Sequence, residues 1–67
     1  MKLKINGEMK EFETNIKNIS ELLKALNVNS NFVAVELNGS VVYKEHFETT
    51  EVKNGDKVEV VSFVGGG

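Results

Sequence analysis

The residues best suited to chemistry stand at the end of the sequence, where Val64 precedes Gly65, Gly66 and Gly67. Glycine has no side chain to pack and loses the most backbone entropy on folding, so this tail is not expected to hold an ordered structure. A main chain without Cβ atoms can enter a narrow channel and present its carboxylate inside another protein. Fully extended, residues 64–67 reach about 13 Å from the domain. The tail therefore suits chemistry done on Gly67 by a separate enzyme.

The glycines also have a plain explanation. Glycine-rich ends are common as disordered termini and linker remnants. A linker remnant more often carries serine, a tag or part of a protease site, and the sequence shows none of these. The tail alone leaves both explanations open, and the rest of the chain decides between them.

Other candidate catalytic and metal-binding residues are weaker. His46 is the only histidine, and no nucleophile or orienting partner stands beside it, so a surface position is expected. The acidic groups match no metal-binding loop and are expected to face solvent. They are Glu8, Glu11, Glu13, Glu45, Glu48 and Glu51. The triple glycine is not a phosphate-binding loop, because no lysine and no helix follow it. We predict no catalytic residue and no metal site.

Composition limits the class of protein. With 67 residues the chain forms one small domain, near the lower limit for a core that folds unaided. Cysteine is absent, which excludes disulfides and thiolate zinc sites. The net charge of −2 comes without a basic stripe, so no nucleic-acid partner is expected. No apolar run reaches the roughly 18 residues that cross a bilayer, so no membrane contact is expected. We expect a soluble cytoplasmic domain.

The first half predicts a hairpin and a helix. Leu3 and Ile5 alternate with polar residues as in a half-buried strand, and Asn6-Gly7 is a strong hairpin signal. A return strand follows over residues 9–13, with Phe12 as its core residue. Ile19, Leu22, Leu23 and Leu26 then form one helical stripe. The expected cap of this helix is Asn18, with Glu21 reaching back to it.

The second half predicts three strands. Residues 32–37 are nearly all apolar, as in a central strand, and Asn38-Gly39 leads to a short partner strand over residues 41–43. Residues 44–50 form a loop that Phe47 anchors. Asn54-Gly55-Asp56 is a turn, and the last strand covers residues 57–63.

The element order β-β-α-β-β-β predicts an α+β fold, with one helix packed on a small mixed sheet. If the first and last strands are neighbours, the arrangement is a β-grasp, as in ubiquitin. Residues 1–64 would form this domain and residues 65–67 a flexible glycine tail. The expected core consists of Leu3, Ile5, Ile19, Leu22, Leu23, Leu26, Val33, Val35, Val58 and Val60.

Period two in the last strand also predicts an exposed surface. If Val58 and Val60 face the helix, then Val61 and Phe63 lie on the opposite face, beside the tail. Exposed apolar patches tend to mark contact sites. We predict that partners bind Val61, Phe63 and Val64 while taking the tail. Ordinary packing of Phe63 against the sheet edge is the alternative.

Taken together, the chain resembles the ubiquitin-like sulfur carriers, and most closely the ThiS family of thiamine biosynthesis. The resemblance covers essentially the whole chain. Its parts are Asn6-Gly7, Ser20-Glu21-Leu22-Leu23, Val33-Ala34-Val35-Glu36-Leu37-Asn38-Gly39, Asn54-Gly55-Asp56, Val58-Glu59-Val60-Val61-Ser62-Phe63-Val64 and the glycines. The final pair Gly66-Gly67 matches the family's requirement, whereas residues 43–47 depart from its common forms.

The resemblance implies a carrier that other enzymes act on, not an enzyme. A ThiF-like adenylating enzyme would use ATP and magnesium to convert the Gly67 carboxylate into an acyl-adenylate, while the chain itself binds no cofactor. Sulfur from a persulfide donor, such as a cysteine desulfurase, would displace AMP and leave a thiocarboxylate. Thiazole synthase, ThiG, would receive that sulfur.

Two alternatives remain open at this point. One is a MoaD-type carrier, which serves molybdopterin. The other is a β-grasp interaction module without chemistry. A carrier must lose its function when one residue is added after Gly67, whereas a binding module should be indifferent to the addition.

Overall fold

The computed structural model describes residues 1–63, so the predictions for Val64, Gly65, Gly66 and Gly67 lie outside the described residues. The elements, in chain order, are β1 (Lys2–Ile5), β2 (Glu8–Glu11), α1 (Ile19–Ala25), β3 (Val33–Leu37), β4 (Ser40–Val42) and β5 (Lys57–Ser62). Two short 3₁₀ turns, Ser30–Phe32 and Lys44–His46, precede β3 and follow β4. The predicted order of strands and helix is confirmed, and the boundaries shift by one or two residues.

The five strands form one mixed sheet in the order β2-β1-β5-β3-β4. β1 and β5 are parallel neighbours, whereas the β1–β2, β3–β4 and β3–β5 pairs are antiparallel. The first and last strands therefore lie side by side near the middle of the sheet. This arrangement confirms the predicted β-grasp.

Both predicted Asn-Gly turns form, and each of them also ties down β5. Asn6 and Asn38 have φ angles of 50° and 51°, the left-handed region that such a turn requires. The Asn6 side chain accepts a hydrogen bond from Val60 N at 2.7 Å and donates to Val60 O at 3.0 Å. The Asn38 Oδ1 accepts from Lys57 N at 2.9 Å. The turns thus extend the hydrogen bonding of the sheet on both sides of β5.

The helix start is capped twice, once locally and once by a distant loop. Asn18 Oδ1 accepts from Glu21 N at 2.8 Å, as predicted, and Glu21 reaches back to Lys17 N at 2.9 Å. The two N–H groups before Glu21 donate to carbonyl oxygens of residues 50 and 47, at 3.1 and 2.9 Å. Because the loop after β4 supplies both of these carbonyls, it acts as a second cap for α1.

The core lies between α1 and one face of the sheet. Nine of the ten predicted core residues are buried, and Leu26 is half-buried where it ends the helix. Phe47 is buried as predicted, at 5% exposure, and Phe12 is half-buried against the core just after β2. Ile16 and Val52 complete the core from the connecting segments.

No helix in the described part of the chain is both long and apolar enough to cross a membrane.

Candidate functional site

The candidate site is built around β5, because this strand leads into the tail. β5 pairs with β1 at Lys57 and Val58 and with β3 from Val58 to Ser62. The N–H of Phe63 donates to the carbonyl of Phe32 at 2.9 Å, one step beyond the last paired residue of the strand. The sheet therefore holds the chain in place up to the last described residue.

Alternation along β5 sends its side chains to two faces, as predicted. Val58 and Val60 are buried under α1. Val61 and Phe63 are 60% and 49% exposed on the face without the helix, which we name the open face. About half of the Phe63 side chain is therefore exposed, and ordinary packing of its other half against the sheet edge stays the alternative to a contact site. The partner-binding role of Val61 and Phe63 remains a prediction.

Neighbouring strands extend this exposed apolar surface. Ala34 of β3 is exposed and pairs with Val61, and Phe32 is 44% exposed beside Phe63. We name Phe32, Ala34, Val61 and Phe63 the apolar patch. Val41 and Tyr43, 57% and 64% exposed, add further apolar surface along β4.

Sequence reasoning missed Phe32 and Ala34, although a signal was present. Since Val33 and Val35 are buried, the same period of two that exposed Val61 places Ala34 on the open face. The residues before Val33 belong to a 3₁₀ turn and not to the predicted strand, and this turn leaves Phe32 half in solvent.

Charged residues continue the open face away from the tail. Glu36 and Glu59 are direct cross-strand neighbours, and Lys4 and Lys57 are the neighbours one row further. All four side chains are exposed and line one shallow depression. Within residues 1–63, the only ion pair closer than 4 Å joins the Met1 ammonium to Glu11, at 3.3 Å. The open face thus carries an anionic row and a cationic row next to the apolar patch.

The other candidates from the sequence lie elsewhere. His46 is exposed at the end of a 3₁₀ turn, where its carbonyl accepts hydrogen bonds from Thr50 N and Oγ1 at 3.0 and 2.7 Å. Among the residues that the structure describes, no three His, Cys, Asp or Glu side chains are grouped to hold a metal ion.

Comparisons with known proteins identify the family. The ThiS family model matches residues 3–67. The sulfur carrier protein ThiS of Bacillus subtilis is 32% identical over 65 residues, which cover 97% of this chain and 98% of that protein. A thiazole synthase of Paramagnetospirillum magneticum is 45% identical over all 67 residues, although the chain spans only 20% of its length.

A solved structure agrees with these matches. The crystal structure of the thiamine biosynthesis protein ThiS from Geobacter metallireducens superimposes with a TM-score of 0.86. The two chains share 45% identity, and the match covers 100% of each. This chain therefore belongs to the ThiS family, the β-grasp sulfur carriers of thiamine biosynthesis.

Proposed function

We propose that the carboxylate of Gly67 is the group that carries sulfur. A ThiF-like enzyme would join this carboxylate to the AMP part of ATP with the help of magnesium, releasing pyrophosphate. The observation that carries the proposal is that the family match runs through the glycines to residue 67. A carboxylate is a poor electrophile until one of its oxygens becomes part of a leaving group, and adenylation supplies that leaving group.

The second step would introduce sulfur. A persulfide on a donor such as a cysteine desulfurase attacks the acyl-adenylate and expels AMP, and a thiol then reduces the resulting acyl disulfide to the thiocarboxylate. The catalytic groups for both steps would belong to the partners. We propose the cytoplasm as the location of these steps.

The proposed acceptor of the sulfur is a thiazole synthase. Support comes from the Paramagnetospirillum relative, in which a stretch similar to this entire chain makes up a fifth of a protein named thiazole synthase. A carrier-like segment within a synthase fits a direct transfer between the two.

The apolar patch is the proposed docking surface for these partners. Val61 and Phe63 are exposed and lie directly before Val64, so a partner that covers them also meets the start of the tail. Gly65 and Gly66, which lack side chains, would then pass through a channel too narrow for other residues.

Pyrophosphate exchange tests the adenylation step. The carrier, a ThiF-like enzyme, magnesium and ATP are mixed with labelled pyrophosphate, and label entering ATP reports reversible formation of the acyl-adenylate. We expect exchange with the chain that ends at Gly67 and none when one alanine is added after Gly67. Equal exchange with both chains would refute the proposal. So would the absence of exchange with an enzyme that does catalyse exchange with the carrier from its own organism.

A further inference from the structure

The sequence contains three Asn-Gly pairs, at residues 6–7, 38–39 and 54–55. Asparagine is a thermolabile residue. It is most labile before glycine, because a backbone nitrogen whose residue has no Cβ reaches the neighbouring side-chain carbonyl carbon most freely. The three pairs differ in what holds the asparagine amide and in what holds the glycine nitrogen.

The pair Asn54-Gly55 is protected at both reacting groups. The Gly55 nitrogen donates a hydrogen bond to Lys2 O at 2.7 Å, and Asn54 Oδ1 accepts one from Lys2 N at 2.7 Å. The glycine nitrogen must give up its own hydrogen bond before it can attack the side chain. Because β1 holds both groups, this pair is expected to react slowly.

The pair Asn6-Gly7 is protected at the asparagine amide. Both polar atoms of the Asn6 side chain bond the backbone of Val60, and both bonds are partly buried. Freeing this amide leaves polar groups of β5 without partners and away from water, which is costly.

The Asn38 amide is held only by exposed hydrogen bonds. Its Oδ1 accepts from Lys57 N at 2.9 Å, and its Nδ2 donates to Asp56 Oδ1 at 3.1 Å. Within residues 1–63, the Gly39 nitrogen has no described hydrogen-bond partner. The turn leads into β4, an edge strand of three residues. Segments with few and exposed hydrogen bonds open locally at a low cost in free energy.

We propose that Asn38 is a deamidation site of this protein, and that it reacts before Asn6 and Asn54. When the turn opens, the Gly39 nitrogen loses its proton to solvent and attacks the Asn38 side-chain carbonyl carbon. The new C–N bond closes a succinimide ring, and the bond to Nδ2 breaks as this nitrogen takes up a proton from water and leaves as ammonia. Water then opens the ring to aspartate or isoaspartate, with no change of oxidation state.

The product brings two negative charges together. In the intact chain, the Asn38 amide donates to the Asp56 carboxylate, whose second oxygen accepts from Lys53 N at 2.8 Å. A carboxylate at position 38 has no proton to donate and repels Asp56 instead. Deamidation therefore loosens the contact between this turn and the segment that begins β5, and the modified chain unfolds more easily.

Peptide mapping by mass spectrometry tests the site. The full chain is incubated in mildly alkaline buffer below its melting temperature, and the exchange of NH for O is followed at each Asn-Gly pair. We expect Asn38 to react about fivefold faster than Asn6, the factor to which one ordinary hydrogen bond corresponds. In urea, where the fold is absent, all three pairs should react at similar rates. Faster reaction of Asn6 or Asn54 in the folded chain would overturn the proposal, and so would the same preference for Asn38 in urea.

Two variants test the consequence of the reaction. Asn38→Asp reproduces the aspartate product, and aspartate tolerates the left-handed φ of 51° at this position. We expect this variant to melt at a lower temperature than the unsubstituted chain. Adding Asp56→Asn to it places an amide opposite a carboxylate again and should restore most of the loss. An unchanged melting temperature for Asn38→Asp, or no recovery in the double variant, would overturn the like-charge explanation.

Discussion

Replacing Asn6 by glycine should destabilise the domain by removing two hydrogen bonds that hold β5. The Asn6 side chain bonds both the N–H and the carbonyl of Val60, at 2.7 and 3.0 Å, and both bonds are partly buried. A typical protein hydrogen bond contributes about 0.5–1.5 kcal/mol, so the loss should be about 1–3 kcal/mol. Glycine tolerates the φ angle of 50° at this position, so the substitution adds no backbone strain.

Asn27→Gly is the matched control for this prediction. Asn27 follows the helix with a φ angle of 59°, and its exposed side chain makes no described hydrogen bond. Both substitutions introduce a glycine and so increase the flexibility of the unfolded chain in the same way. Only Asn6→Gly also removes hydrogen bonds. Because glycine is favoured just after a helix, we expect this variant to be neutral or slightly more stable.

Urea unfolding followed by circular dichroism measures both variants. A loss of about 2 kcal/mol for Asn6→Gly corresponds to a melting temperature roughly 8–16 °C lower in a domain of this size. If the two variants differ in unfolding free energy by less than about 0.5 kcal/mol, the bonds from Asn6 to β5 do not stabilise the fold, and the reasoning fails.

Three further substitutions test the core, the helix cap and the apolar patch. Phe47→Ala should lower the free energy of unfolding by about 3–5 kcal/mol, because Phe47 is buried at 5% exposure, and this loss is enough to unfold much of the domain. A loss below about 1 kcal/mol in urea unfolding would contradict this expectation. Asn18→Ala should cost about 1 kcal/mol by removing the helix cap, and an unchanged denaturation midpoint would show that the loop at residues 47–50 caps α1 alone. Phe63→Ala should leave the melting temperature nearly unchanged yet weaken binding to the adenylating enzyme about tenfold, as titration calorimetry can measure. Met9→Ala is its control, because Met9 is an apolar residue of β2 with 60% of its side chain exposed, and equal weakening by both substitutions would remove the special role of the patch.

The parts of the fold that local signals specify were predictable. The Asn-Gly turns, the helical stripe and the cap at Asn18 all depend on residues within a few positions of each other, and each of them forms. The exposed position of Val61 followed from the buried Val58 and Val60 by strand periodicity alone.

The features that were missed depend on residues far apart in the chain. Nothing near Asn6 indicates that its side chain bonds Val60, which is 54 positions away. The loop after β4 has no periodicity, and its role as a cap for α1 arises from its backbone carbonyls, which leave no mark in the sequence. The pairing of Glu36 with Glu59 required the register between β3 and β5, which strand patterns alone do not fix.

The most direct test of the central claim is the intact mass of the chain after incubation with a ThiF-like enzyme, ATP, magnesium, a persulfide donor and a reducing thiol. A chain lacking Gly67 serves as the control. We expect a mass gain equal to the exchange of one oxygen for one sulfur, in the chain with the full tail and not in the control. An unchanged mass in both chains, with enzymes that modify their own carrier, would contradict the assignment of Gly67 as the sulfur-carrying residue.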